Sequence, residues 1–220
     1  SGIPTFAHVL GAAGYETALM GKMHFVGSDH KHGFERRLLG NFIAHHPGAP
    51  EIGGPRWTKF PGSVSGQARV SVETVGTGTT TYQWFDRQVA DTGCSFLREK
   101  AENDDDRPFA AVVGFNLPHC PFIAPKELFD YYLDKVDLPE IEENLPATVK
   151  RFRERRGIAS PAVSAERTAH ARAAYFALCE HVDGLIGEVL ECLEETGFAE
   201  NTIVFYCSDH GELAGEHGCW

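Results

Sequence analysis

Five residues of this sequence carry side chains suited to handling a small anion: Lys22, His24, His119, Asp209 and His210. Each follows a short apolar run. Lys22 and His24 come after Glu16 to Gly21, His119 after Phe109 to Leu117, and Asp209 and His210 after Thr202 to Cys207. A carboxylate next to an imidazole suits Mn, Zn or Fe better than an all-oxygen cage does. Two ligands alone make a weak site, so further donors must come from elsewhere. Both side chains reach one ion only if the backbone turns sharply, which Gly211 would permit. Lys22 and His24 are two positions apart, so on extended chain they face the same side. Together they could bind two oxygens of a tetrahedral anion. His119 stands between Pro118 and Pro121, which stiffen its turn. An imidazole held there suits the part of general acid or anion ligand near neutral pH.

Taken singly, these residues have plainer readings as an exposed turn, a surface lysine and structural histidines. Taken together, they describe a metal-assisted site for a tetrahedral oxyanion ester. The metal and Lys22 would offset developing negative charge, and an imidazole would protonate the leaving oxygen.

The elements that must position them alternate between helix and apolar strand. Thr5 is placed to cap a short helix through Ala13, with Phe6, Val9 and Leu10 on one face and Gly14 as its stop. Glu16 to Gly21 then reads as a strand. Residues 40–81 are rich in Gly, Pro, Ser and Thr and read as a long irregular segment, a functional cover or a flexible loop. Tyr82 to Lys100 has helical spacing, with Phe85, Val89, Phe96 and Leu97 aligned. Asn103 to Asp106 reads as a solvated polar turn rather than a calcium loop. Phe109 to Leu117 is a continuous apolar run between Pro108 and Pro118, the pattern of a strand buried on both faces. Lys126 to Lys135 reads as a short helix. Residues 136–164 read as irregular, and their basic run of Lys150, Arg151, Arg153, Arg155 and Arg156 as a solvated face. Ser164 can cap the longest helix, through Glu195, with Leu178, Val182, Leu185, Ile186, Val189 and Leu193 as its apolar stripe. Thr202 to Cys207 reads as a further strand. This order predicts an α/β layer architecture with a mostly parallel sheet. Ligands of such sheets gather beyond the carboxyl ends of the strands, where all five residues fall.

Composition narrows the partners. The 220 residues are 42% hydrophobic and 23% charged, with a net charge of -11. That balance disfavours nucleic acid and anionic membrane surfaces. No apolar run approaches the roughly 18 to 20 residues of a membrane span, and Ser1-Gly2-Ile3-Pro4 does not open a signal peptide. The six cysteines include no C-x-x-C pair, so they read mostly as reduced, buried small hydrophobes.

Four ordered stretches resemble the type I sulfatase family of the alkaline phosphatase superfamily. Gly14-Tyr15-Glu16-Thr17-Ala18-Leu19-Met20-Gly21-Lys22-Met23-His24 is similar to the family segment AGYxTAxxGKxH, and His32-Gly33-Phe34 to the HGF after it. Leu117-Pro118-His119-Cys120-Pro121-Phe122 resembles the PHxPF element. Tyr175 through Trp220 is similar to the long stretch ending NTIVxxxSDHGExxGEHGxW. The GKMHFVG and SDHG sequences look most like the choline-sulfatase and phosphonate-hydrolase side of the family.

The resemblance implies an alkaline-phosphatase-like α/β fold, incomplete in this chain, with residues 1–220 forming the central part of a sulfatase catalytic domain. It implies that Lys22 and His119 hold the sulfate. His24 would contact the hydroxyl of the nucleophile, His119 would also serve the leaving group, and Asp209 and His210 would bind a divalent metal. Calcium is the usual metal of the family; His210 stands where many arylsulfatases carry Asn, which opens the site to manganese. The family nucleophile is a formylglycine made from Cys or Ser in a C/S-x-P-S-R context, and no cysteine here is followed by that pattern. The family's paired metal-binding aspartates are unmatched as well. The nucleophile is therefore expected in a missing upstream segment, and the chain alone is expected to be inactive.

The implied partner is a small sulfated substrate, and uncovered strands of an incomplete sheet would favour a homo-oligomer. Two other readings stay open: a phosphonate or phosphate ester hydrolase of the same superfamily, and a non-catalytic anion-binding member.

Overall fold

The computed structural model describes residues 2–25, 29–40, 69–103 and 106–220. Most of the irregular stretch expected over residues 40–81, and Asp104 and Asp105 of the polar turn, lie outside the described residues. The chain divides into two compact units. The first takes its described residues from Ser1–Phe60, Trp84–Asn116 and Leu185–Ile203, the second from Pro61–Gln83, Leu117–Gly184 and Val204–Trp220.

In the first unit a three-stranded parallel sheet has the order β2-β1-β4, with β1 at Glu16–Gly21, β2 at Arg36–Leu39 and β4 at Phe109–Gly114. Strand β1 is central and buried along all six residues. Its side chains alternate between two layers, as strand geometry requires. Ala18 and Met20 pack with Phe96 and Leu97 of helix α3 (Thr81–Glu102) and with Cys192 and Leu193 of helix α6 (Ala165–Glu195). Leu19 packs on the other face with Ala7 of helix α1 (Phe6–Ala12) and with Phe34.

A charged residue begins this buried strand. Glu16 is 3% exposed, and its carboxylate meets Lys100 Nζ at 3.0 Å and Arg36 Nη1 at 3.0 Å. Burial alone would raise the Glu16 carboxyl. The hydrogen bonds from Arg36 and Lys100, with their charge, reverse that and hold it below its ordinary value.

The second unit holds a two-stranded parallel sheet of β3 (Val75–Thr77) and β5 (Phe122–Ala124). Short helix α2 (Arg69–Glu73) precedes it, and α4 (Lys126–Leu133) and α5 (Ala147–Arg155) follow. Phe122, 1% exposed, meets the Tyr175 ring edge-on at 6.3 Å and the Trp220 ring at 6.0 Å. The mixed α/β class with parallel strands is as the sequence predicts.

Several elements differ from expectation, each for a physical reason. Strand β4 is half-buried rather than covered on both faces, because among the described residues it pairs only with β1 and ends the sheet. Helix α1 buries Ala7 against Leu19 and Phe34 and leaves Phe6 and Val9 exposed, since the helix turns the Ala7 face rather than the Phe6–Val9 face toward the sheet. Two segments expected to be irregular contain regular structure. Residues 69–77 form α2 and β3, and Ala147–Arg155 form α5. Helix α5 starts behind Pro146 and consists largely of Arg, Lys and Glu, which are good helix formers with little apolar periodicity to betray them. Its Lys150, Arg151, Arg155 and Arg156 are exposed, but Arg153 is half-buried.

Thr202 to Cys207 enters neither sheet, and Ile203 and Phe205 are 80% and 85% exposed. A run of β-formers becomes a strand only where a second backbone meets its N–H and C=O groups. No helix among the described residues is long and apolar enough to cross a membrane. The buried cysteines are Cys94, Cys120, Cys192 and Cys219; Cys179 is half-buried and Cys207 exposed, all as free thiols.

Replacing Lys100 with Met leaves the Glu16 charge with one partner. The expected loss is about 3 kcal/mol of folding stability at neutral pH, measured by urea denaturation. Because the folded Glu16 value is depressed, its stabilisation is complete above the ordinary 4.5 and is lost as pH falls through the folded value. Variant and wild type should therefore converge in strong acid.

Candidate functional site

In the first unit, β1 and β4 run parallel with Gly21 opposite Gly114, so both strands end at the same edge. Lys22 is bound there through its backbone, its N–H donating to Gly114 O at 2.7 Å. The strands approach so closely that a Cβ on Gly21 would overlap Gly114 O, and one on Gly114 would overlap Lys22 O. Gly21 is also left-handed, with φ 90. Two glycines thus set where Lys22 leaves the sheet. Lys22 is half-buried and His24 exposed. The Phe25 N–H donates to Met23 O at 2.9 Å, so the backbone closes a three-residue turn on His24. Lys22 and His24 therefore do not lie on the extended chain that sequence reasoning assumed.

Past the end of β4, the fully buried carboxylate of Asp86 accepts the Asn116 N–H at 2.9 and 3.0 Å, three residues before His119. His119 lies in the second unit, where the Tyr82 ring meets it edge-on at 5.6 Å. Its Nδ1 is 2.6 Å from Cys120 O. A carbonyl can only accept, so Nδ1 carries the proton and Nε2 is the nitrogen whose protonation can change. The adjacent Cys120 thiol is pushed up to about 12 by burial, with the Glu212 carboxylate adding to the effect.

Asp209 and His210, also in the second unit, are exposed. Ser208 Oγ donates to His210 O at 2.5 Å, and the His210 N–H to Asp209 Oδ1 at 3.1 Å. His210 Nδ1 donates to Gly211 O at 2.8 Å, which fixes the tautomer and leaves the lone pair on Nε2, 3.8 Å from Asp209 Oδ1. An imidazole whose far nitrogen is bound to a backbone carbonyl is the usual form of a metal-ligating histidine. The pair thus fits a divalent ion as part of a ligand set. Among the described residues no group of three or more His, Cys, Asp or Glu is placed to hold a metal, so the pair does not complete a set.

The backbone bends at Asp209, without a positive φ at Gly211, and a left-handed turn follows at Ala214 (φ 47) and Gly215 (φ 95). A left-handed alanine costs about 1 to 2 kcal/mol, offset here by contacts from both sides. Glu212 Oε1 accepts the Leu213 and Ala214 N–H groups at 2.9 and 3.3 Å, and Arg172 Nη1 donates to Ala214 O at 2.8 Å.

His119, Asp209 and His210 all belong to the second unit. The charge of Glu212 bears on the Cys120 thiol, and on the Tyr175 phenol, which burial raises first and the neighbouring Cys179 second. Lys22 and His24 belong to the first unit. Sequence reasoning missed Asp86, Glu212 and Arg172. Only Glu212 had a local signal, its place two residues after His210.

A sequence model of the family described as Sulfatase matches residues 1–219. The choline-sulfatase of Rhizobium meliloti (strain 1021) is 35% identical over 100% of this chain and 44% of its own length. The arylsulfatase of Clostridium perfringens (strain 13 / Type A) is 28% identical over 97% of this chain and 47% of its own. The iduronate 2-sulfatase of Homo sapiens is 27% identical over 94% of this chain and 40% of its own. The chain spans less than half the length of these relatives.

Gly114→Ala forces β4 away from the Lys22 backbone. It is expected to lower stability by about 1 to 3 kcal/mol, read as a shift in the urea midpoint. Thiol labelling at pH 8 should modify exposed Cys207 and spare Cys120, whose thiolate is scarce at that pH; mass spectrometry of labelled peptides reads the result.

Proposed function

This chain belongs to the sulfatase family, and from that membership we propose that the protein hydrolyses sulfate esters with the help of a divalent metal. One observation within the site carries the metal-dependent part. His210 commits Nδ1 to the Gly211 carbonyl and keeps the Nε2 lone pair beside the Asp209 carboxylate, the arrangement a metal ligand needs.

In this reading Asp209 and His210 hold calcium or manganese together with donors beyond the described residues. The ion supplies positive charge against which negative charge on the sulfate oxygens can develop. Lys22 places an ammonium against the same oxygens and binds the ester more tightly as that charge grows. His119, protonated at Nε2, donates to a sulfate oxygen and gives its proton to the leaving oxygen. Its Nδ1 contact with Cys120 O keeps the ring oriented through both protonation states. His24 contacts the hydroxyl of the nucleophile. No residue of this chain matches the nucleophile motif, so the reading assigns that role to a formylglycine elsewhere in the protein. The substrate is a small sulfated molecule; the ester after which the choline-sulfatase relative is named is the first to try.

Whole protein purified with manganese or calcium is expected to hydrolyse an aryl sulfate and to stop when the metal is chelated. Lys22→Ala and His119→Ala should each lower kcat/KM by about a hundredfold or more. His119→Ala should do so least toward esters whose leaving group needs no proton. Preference for phosphate or phosphonate esters over sulfate esters in direct competition would refute the sulfate assignment. Unchanged activity after chelation would refute the metal.

A further inference from the structure

The turn that follows Asp209 and His210 is gripped by helix α6. Ala214, 6% exposed, is held at φ 47, a conformation that alanine alone rarely keeps. Thr168 and Arg172 are four residues apart and so share one face of α6. Both reach this turn. Arg172 Nη1 donates to Ala214 O at 2.8 Å and to Glu216 Oε1 at 3.4 Å. A Cβ on Gly215 would lie 3.3 Å from Thr168 Cγ2, so the absence of a side chain there lets the turn close on the helix. The Arg172 side chain is 13% exposed, with its guanidinium 5.9 Å from the Phe176 ring centre. A desolvated guanidinium is thus committed to the carbonyl of a strained residue. Strain of this kind persists only where surrounding contacts over-determine it, and it gathers at functional sites.

We propose that Arg172 is a positioning residue for the metal-binding pair, clamping the Ala214 turn so that Asp209 and His210 keep one separation and orientation. The proposal rests on the reading that those two residues ligate a divalent ion. The chain just before them, Ile203 to Tyr206, is exposed and belongs to neither sheet. The clamped turn after them therefore supplies a fixed end for the segment. Glu212 completes the clamp by accepting the Ala214 N–H while Arg172 donates to its carbonyl.

The test is a manganese titration of the whole protein, with free ion followed by electron paramagnetic resonance and thermal midpoints recorded alongside. Four forms are compared: wild type, Arg172→Ala, Arg172→Lys, and Arg172→Ala combined with Ala214→Gly. Folded Arg172→Ala is expected to bind manganese about ten to a hundredfold more weakly. Arg172→Lys, which keeps one donor, should fall between. Glycine takes positive φ without steric penalty, so the combined variant should recover much of the lost affinity. A role limited to global stability would lower the midpoint, leave the affinity of folded protein unchanged and gain nothing from glycine. Equal affinity in wild type and Arg172→Ala overturns the proposal while the metal reading stands, and so does a weakening that glycine fails to restore. A wild type that binds no manganese overturns the metal reading itself, and the proposal with it. If Arg172→Ala does not fold, Arg172→Lys with and without Ala214→Gly decides by the same criteria.

Discussion

A strand buried from end to end tolerates a charge only if that charge is met, and the first unit is organised around this constraint. Glu16 opens β1 at 3% exposure. Its carboxylate takes Arg36 from β2 and Lys100 from the last turn of α3, each at 3.0 Å. Arg36 in turn reaches Glu99 at 3.0 Å. One carboxylate therefore links the central strand to its neighbour and to the helix that packs on it. Removing either partner would leave part of a buried charge uncompensated, which is far worse than never having placed it there.

The far end of the same strand meets the opposite requirement, closeness without side chains. Gly21 and Gly114 face each other where β1 and β4 finish, and neither has room for a Cβ. The backbone of Lys22 is thereby tied to β4. Asp86 then binds the chain after β4 through the Asn116 N–H. A charge pinned at one end and a glycine contact at the other give the strand a fixed length and register, so the residue that leaves it starts from a defined place.

The second unit solves a related problem with backbone strain. Its His119 and His210 both donate Nδ1–H to the next residue's carbonyl, which fixes the tautomer of each ring. The left-handed turn at Ala214 and Gly215 then relies on Glu212, Arg172 and the shape of α6. The half-buried Arg153 belongs to the same arrangement, since its guanidinium would lie 2.8 Å from a Cβ on Gly218.

Much of this was legible from sequence. Strand β1, the two long helices and the candidate residues Lys22, His24, His119, Asp209 and His210 could be read from apolar periodicity and from motif order, because those signals are local. What escaped reading was pairing. Ile203 to Tyr206 has every mark of a strand, yet a strand is a relation between two backbones, and no local pattern announces its partner. Helix α5 stayed hidden because its residues favour helix without an apolar stripe to show it. Asp86, Glu212 and Arg172 look like ordinary surface residues until folding sets their charges against particular N–H and C=O groups. Residue types and their order along the chain therefore determined the family, the fold class and the candidate chemistry. Only the tertiary structure decided what holds the left-handed turn, since Arg172 reaches the Ala214 carbonyl from another element, while the tautomer of each imidazole follows from the local backbone path, which sets Nδ1 against the next residue's carbonyl and which residue types alone do not reveal.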